Sequence, residues 1–249
     1  MKRKLGIQQK IQIYILSSVA LIFIISLGYT GWQSKEKMLS VSRDLADTYA
    51  REYANRASDE LNYYADAALF LQSVFEGYTF LPHNQRREIL SSYLKTTLRD
   101  NPKFLSVWSI LEPDALDTLK QQYKNKVGST VLGNFRYVYY RQDDEIVLSR
   151  YVEQDSEAVL SGNVYSLVKQ RMQITVVDPY YYSYSGNKSD EILETNIVSP
   201  VIKNDNFLGV VGIDVPLTTI SEQINQYQPI EGSFAFLLSH HGQVVSFPE

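Results

Sequence analysis

Residues 11–34, IQIYILSSVALIFIISLGYTGWQS, carry no charged side chain and lie between Lys10 and Lys35. Roughly 20 residues at about 1.5 Å each match the hydrocarbon thickness of a bilayer, about 30 Å. A run this long and apolar on every face is foreign to the core helices of water-soluble domains. The chain is therefore expected to be a globular module tethered by one membrane helix, residues 11–32. Lys2, Arg3, Lys4 and Lys10 precede the run, and mixed charge follows it in SKEKMLSVSRDLAD. The positive-inside bias places residues 1–10 in the cytoplasm and the rest outside the inner membrane. A cleaved export signal is the alternative. The length of the run argues against it, and Ser26-Leu27-Gly28 is the nearest approach to a small-x-small cleavage site.

Composition narrows what the exported part can do. The chain has no cysteine, which removes thiol catalysis, cysteine metal sites and disulfides. A net charge of −4 offers nothing for a nucleic acid. The three histidines, His83, His240 and His241, form no HExxH or similar metal spacing. No cofactor is expected. The roughly 200 residues beyond the run suffice for one domain or two small ones.

From Gln33 to Phe75 there is neither proline nor glycine, and apolar residues recur at helical spacing: Met38, Val41, Leu45, Tyr49, Tyr53, Ala57, Leu61, Tyr64, Ala68, Leu71. One long helix is expected over residues 33–77, ended by Gly77 and Pro82. It can pack on its own domain and also form a seam with a second chain. Asn84 reads as the N-cap of a helix from Gln85 to Leu98. Phe104 to Leu111 reads as a strand, and Asp114 as the cap of a short helix with Asp117 at the capping-box position. Phe135–Arg141 and Glu145–Tyr151 flank a turn at Gln142-Asp143-Asp144. Asn163–Arg171 is ambiguous, and Ile174–Val177 is a short β-branched run ended by Asp178-Pro179. Leu193–Ile202 and Phe207–Val215 form a hairpin around Lys203-Asn204-Asp205-Asn206. Gly209 and Gly212 in its second strand predict close packing or a bulge. A helix follows Pro216 to about Tyr227, broken by Pro229 and Gly232. A last strand pair, Ser233–Leu238 and Val244-Val245, is too small to stand alone. It marks either a second module cut short or a hairpin packed on the first. Helices followed by an antiparallel meander make an α+β fold.

Four stretches, in this order, resemble the double Cache sensor domain of bacterial transmembrane receptors: VWSILEPDALD from Val107, YVYYR from Tyr137, DPY from Asp178, and VSPVIKNDNFLGVVGIDV from Val198. The tail GSFAFLLSHHGQVVSFP is similar to the opening strand pair of that family's membrane-proximal module. The resemblance implies a PAS-like fold, with a membrane-distal module at residues 78–217. Residues 218–249 would then be a linker helix and the start of the proximal module. It also implies extracytoplasmic small-molecule sensing passed across the membrane, in a chemotaxis receptor, a sensor histidine kinase or a diguanylate cyclase.

The family's amino-acid-binding members carry Arg-x-Trp-Tyr, then Tyr-x-Asp, then a final Asp. Here Tyr165 matches the first Tyr, but Gly162 and Val164 stand in place of Arg and Trp. Tyr180 matches the second Tyr, Tyr182 replaces its Asp, and Asp214 matches the last Asp. A missing bidentate Arg is hard to replace, so an α-amino acid is disfavoured. Tyr137, Tyr139, Tyr140, Tyr151, Tyr165, Tyr180, Tyr181, Tyr182 and Tyr184 crowd one stretch of the chain. Tyrosine suits a pocket for a small polar molecule, and equally a strand core. With one acid among them, the ligand expected is an amine or an N–H heterocycle. The candidate site is Trp108, Tyr140, Arg141, Tyr165, Asp178, Tyr180, Tyr182 and Asp214, with Lys169 in reach. Asp214 can instead cap the following helix, Asp178 can be a turn residue before proline, and Arg141 a solvated strand end. If Arg141 or Lys169 points inward, a carboxylate ligand returns. An exported hydrolase is the rival class. No GxSxG or SxxK stands on a strand-to-helix turn and no histidine is placed as a base, but a pair of carboxylates could meet in space. A ligand-free interaction module is the third reading.

Overall fold

The structure, a computed structural model, describes residues 6–143, 145–150, 163–225, 234–239 and 241–246. Expectations resting on Lys2, Arg3, Lys4, Asp144, Tyr151, Gly162, Tyr227, Pro229, Gly232 and His240 lie outside the described residues.

The chain divides into two units, residues 1–52 and 53–249. Helix α1 (Ile7–Glu76) supplies every described residue of the first except Gly6, and the opening of the second. Within the first unit the apolar side chains from Ile11 to Trp32 are exposed. The helix is long and apolar enough to cross a membrane by length and composition. Its few polar side chains satisfy themselves locally: the hydroxyls of Ser17 and Ser18 donate to the carbonyls of Tyr14 and Ile15, and that of Thr30 to Ser26. A polar group in hydrocarbon has no other partner to turn to.

In the second unit, α1 buries Tyr64, Ala68, Leu71 and Phe75, one stripe at steps of three and four. The glycine expected to stop it does so: a 3₁₀ turn, Gly77–Phe80, follows at once. Next come α2 (Arg86–Asp100), β1 (Ser106–Leu111), a one-turn α3 (Lys120–Tyr123), β2 (Arg136–Gln142), β3 (Glu145–Leu148) and α4 (Asn163–Arg171). They are followed by β4 (Thr175–Val176), β5 (Tyr180–Tyr182), β6 (Ile192–Lys203), β7 (Asn206–Pro216), α5 (Leu217–Asn225), β8 (Leu237–Leu238) and β9 (Val244–Ser246). The first seven strands form one antiparallel sheet in the order β3-β2-β1-β7-β6-β4, with β5 sharing the outer edge of β6 with β4. The β6–β7 hairpin turns on Asn204 and Asp205, at φ 50° and 63°. Those are the two left-handed residues a tight hairpin turn needs. The expected α+β architecture is present.

Alternation along each strand sorts side chains to two faces. Val107 and Leu111 of β1, Ile213 and Val211 of β7 and Ile197 of β6 face α1 and α2, where they join Leu90, Leu94 and Leu98 in the main core. Residues of the other parity face away, and α4 covers part of that side with Tyr165 and Val168 on Val198 and Val210.

Two local expectations are corrected. Helix α2 begins after Gln85 without a side-chain cap, so Asn84 is not its N-cap. Asp114 caps no helix. It sits at φ 61° and pairs with Lys120 at 2.6 Å. Asp117 is not a capping acid either. It is buried against Arg87, which donates through Nε at 2.7 Å and Nη2 at 3.1 Å. A buried carboxylate needs a fixed cation more than a helix needs a cap. Burial alone would raise the Asp117 carboxyl, but Arg87 and the Leu119 N–H hold it below the usual carboxylate range.

Candidate functional site

The face turned away from α1 and α2 carries one row of side chains set by register. Tyr140 on β2 pairs with Ser106 on β1, Ser106 with Asp214 on β7, and Asp214 with Asn196 on β6. Two residues further on the same face of β6 comes Glu194, opposite Tyr180 of β5. Strand pairing alone thus gathers aromatic rings, a hydroxyl, an amide and two carboxyls from five strands.

Asp214 is 2% exposed and Glu194 is completely buried. The Ser106 hydroxyl donates to Asp214 Oδ2 at 2.6 Å, and Trp108 Nε1 donates to Oδ1 at 2.6 Å. The indole reaches that far because residue 212, opposite Trp108, is glycine. A β-carbon there would sit 2.3 Å from the ring. The expectation of close packing at Gly212 is met by this contact. Tyr184 Oη lies 2.7 Å from both Asp214 Oδ2 and Glu194 Oε2. Its ring stacks on Tyr140 at 4.8 Å and 9°, and takes Tyr182 edge-on at 4.9 Å. Asn196 Nδ2 donates to the Tyr180 hydroxyl at 2.5 Å.

Burial dominates the electrostatics. It pushes the Glu194 carboxyl up to about 9, helped by the neighbouring Asp214 and opposed by Tyr184 and Tyr180. It also raises Asp214, against the donors Ser106, Trp108, Tyr184 and Asn196. The phenols of Tyr180 and Tyr184 are driven up by burial and by both acids, so they remain neutral donors. Among the described residues no basic side chain pairs with either carboxyl, and no group of three or more His, Asp or Glu is placed to hold a metal ion.

Of the eight residues singled out from sequence, Trp108, Tyr140, Tyr180, Tyr182 and Asp214 meet here. Tyr165 lies further along the same face, edge-on to Phe207 at 5.5 Å, its hydroxyl raised by burial and by Glu112. Arg141 has the opposite parity and turns to the helix side, where it donates to the carbonyls of Phe104, Leu98 and Asn101 and ties down the end of α2. Asp178, just before β5, meets Nδ1 of His241 at 2.5 Å. Lys169 pairs with Glu112, away from Asp214. Neither cation that would have restored a carboxylate ligand points at the cluster. Ser106, Glu194 and Asn196 were not among the sequence candidates, and Tyr184 was counted only among the crowded tyrosines. The signal was there for the first three. In ILETNIVSPVI, Glu194 and Asn196 share parity with Val198, and the hairpin places them beside Asp214, while Ser106 shares parity with Trp108. Tyr184 follows β5, and nothing local marks where its ring goes.

Comparison with known proteins agrees with this fold. Residues 90–222, more than half the chain, match the family described as "Methyl-accepting chemotaxis protein-like, first PDC sensor domain". The methyl-accepting chemotaxis protein TlpQ of Pseudomonas aeruginosa is 26% identical over 90% of this chain, which spans 35% of TlpQ's length. The extracellular domain of the histidine kinase mmHK1S-Z2 is 27% identical, with a TM-score of 0.67 over 79% of this chain and 69% of that one. A solved methyl-accepting chemotaxis protein X, 22% identical, shares the fold at TM-score 0.70 over 86% of this chain and 76% of that one. Every residue of the acidic aromatic cluster lies inside the matched span, and the chain belongs to the family of methyl-accepting chemotaxis protein-like first PDC sensor domains.

Proposed function

We propose that this chain is the sensing part of a membrane receptor, anchored through α1 with its N-terminus in the cytoplasm, and that the cluster around Asp214 takes a small organic cation. The observation that carries this reading is a pair of buried carboxyls walled by Trp108, Tyr140, Tyr180 and Tyr182, with no described basic side chain paired to them. An ammonium or a protonated N–H heterocycle supplies the missing charge, and the ring faces add cation–π attraction. An α-amino acid is a poorer fit, because Arg141 and Lys169 are committed elsewhere. Residues 78–217 act as the ligand-binding module and residues 218–249 open a second one. Binding shifts the module between two arrangements, and α1 carries the change toward the membrane. A chemotaxis output is favoured over a kinase or cyclase output by the likeness to TlpQ.

The test is thermal unfolding of the full chain in detergent with a ligand panel. Ethanolamine, 1,4-diaminobutane and imidazole are expected to raise the midpoint, since a ligand bound only to the native state must stabilise it. Isoleucine and succinate are expected to leave it unchanged. Stabilisation by the carboxylates alone contradicts the reading.

A further inference from the structure

A phenol hydroxyl has one proton to give. Tyr184 Oη nevertheless stands 2.7 Å from an oxygen of each carboxyl. It can donate to one. The other contact needs a proton that belongs to the carboxyl. Asp214 is the better anion, because Ser106 and Trp108 already donate to it. Glu194 has only phenols beside it, Tyr184 and the opposite Tyr180; it is completely buried and its Oε1 has no hydrogen-bond partner. The spare proton therefore sits on Glu194 Oε2 and points at Tyr184, whose own proton points at Asp214.

We propose that Glu194 holds this proton while the site is empty and gives it up to solvent when a cationic ligand enters, so that the site exchanges a proton for its ligand. The inference rests on the cation reading above. The balance is simple: the O–H bond of Glu194 breaks, the proton leaves to buffer, and the carboxylate faces the cation. Empty, the pair carries one negative charge. Occupied, it carries two and meets a counter-charge. The groups facing Glu194 are Asp214 on β7, Tyr180 and Tyr182 on β5, Tyr184 after it, and Asn196 on its own strand. Among the described residues no basic group faces it. Glu194 thereby sets selectivity as well, because a neutral isostere of the ligand cannot replace the proton's charge. The raised Glu194 carboxyl is consistent with this arrangement.

The test uses the full chain in detergent, with 1,4-diaminobutane as probe. Calorimetry in two buffers of different ionisation enthalpy counts the protons released, and about one per bound ligand is expected. Affinity is expected to rise about tenfold per pH unit from pH 6 to 8, while an alkylammonium stays charged. Glu194→Gln is expected to release none and to flatten the slope. Binding by the wild type without proton release overturns the exchange and leaves the cation reading standing. Failure of wild type to bind any amine of the panel overturns both. Infrared difference spectra of the ligand-free chain give a second check. A protonated carboxyl band at pH 7, absent in Glu194→Gln, is expected, and its absence from the wild type overturns the proposal whatever the binding result.

Discussion

Arg87 and Asp117 show how much a single buried pair can carry. The guanidinium donates to both Asp117 oxygens, to the Ser129 hydroxyl and to the Gly133 carbonyl, and lies over the Tyr123 ring at 4.2 Å. Arg87→Ala leaves a buried carboxylate with no counter-charge, and a loss of about 3–5 kcal/mol in denaturant unfolding is expected. The pair Arg87→Met with Asp117→Leu should cost far less, because both charges go together. An equal loss in the two variants would show that packing, not charge, is what matters there. Sequence gave Asp117 a capping role because its spacing from Asp114 fits one, and no local pattern announces a partner thirty residues away. Asp214 was legible for the opposite reason. It matches the final Asp of the family that the chain resembles, and it is an acid in an otherwise apolar strand, where a buried charge is costly unless it is partnered.

At the scale of elements, the site is a property of the sheet's register. Glycine at 212 leaves room for the Trp108 indole beside β7, where it reaches Asp214. Both neighbours of β7 hold its backbone in the ladder, so Gly212→Ala must displace the ring rather than the strand. Amine affinity is expected to fall at least about tenfold, the loss of one charge-assisted hydrogen bond, with a change in tryptophan fluorescence. Unchanged affinity and fluorescence would show that the indole is not a wall of the site. The long elements were readable: α1, α2 and the β6–β7 hairpin carry full periods and a clear turn. The three-residue β5 was not, since its strand character comes from pairing with β6 rather than from its own sequence. Arg141 was misplaced by the same kind of gap. Its type suits a ligand carboxylate, but its parity, one step from Tyr140, sends it to the other face.

For the whole molecule, α1 runs from the exposed apolar residues 11–32 into the sensor domain as one helix. Met38, Val41 and Leu45 are exposed apolar side chains at steps of three and four along it. A homodimer joined along this stretch is expected. Cysteine introduced at position 41 of this otherwise cysteine-free chain should cross-link between copies in bilayers, and cross-linking no greater than at an exposed control such as Glu36 would contradict the seam. The proposed site distinguishes its ligand by charge. Calorimetry of the full chain with 1,4-diaminobutane and with its uncharged isostere 1,4-butanediol, on wild type and Asp214→Asn, tests it most directly. Wild type is expected to bind the diamine and not the diol, and Asp214→Asn to lose the diamine by about a hundredfold, the cost of truncating a buried charge pair. Equal binding of the two probes, or a diamine affinity untouched by Asp214→Asn, would contradict it.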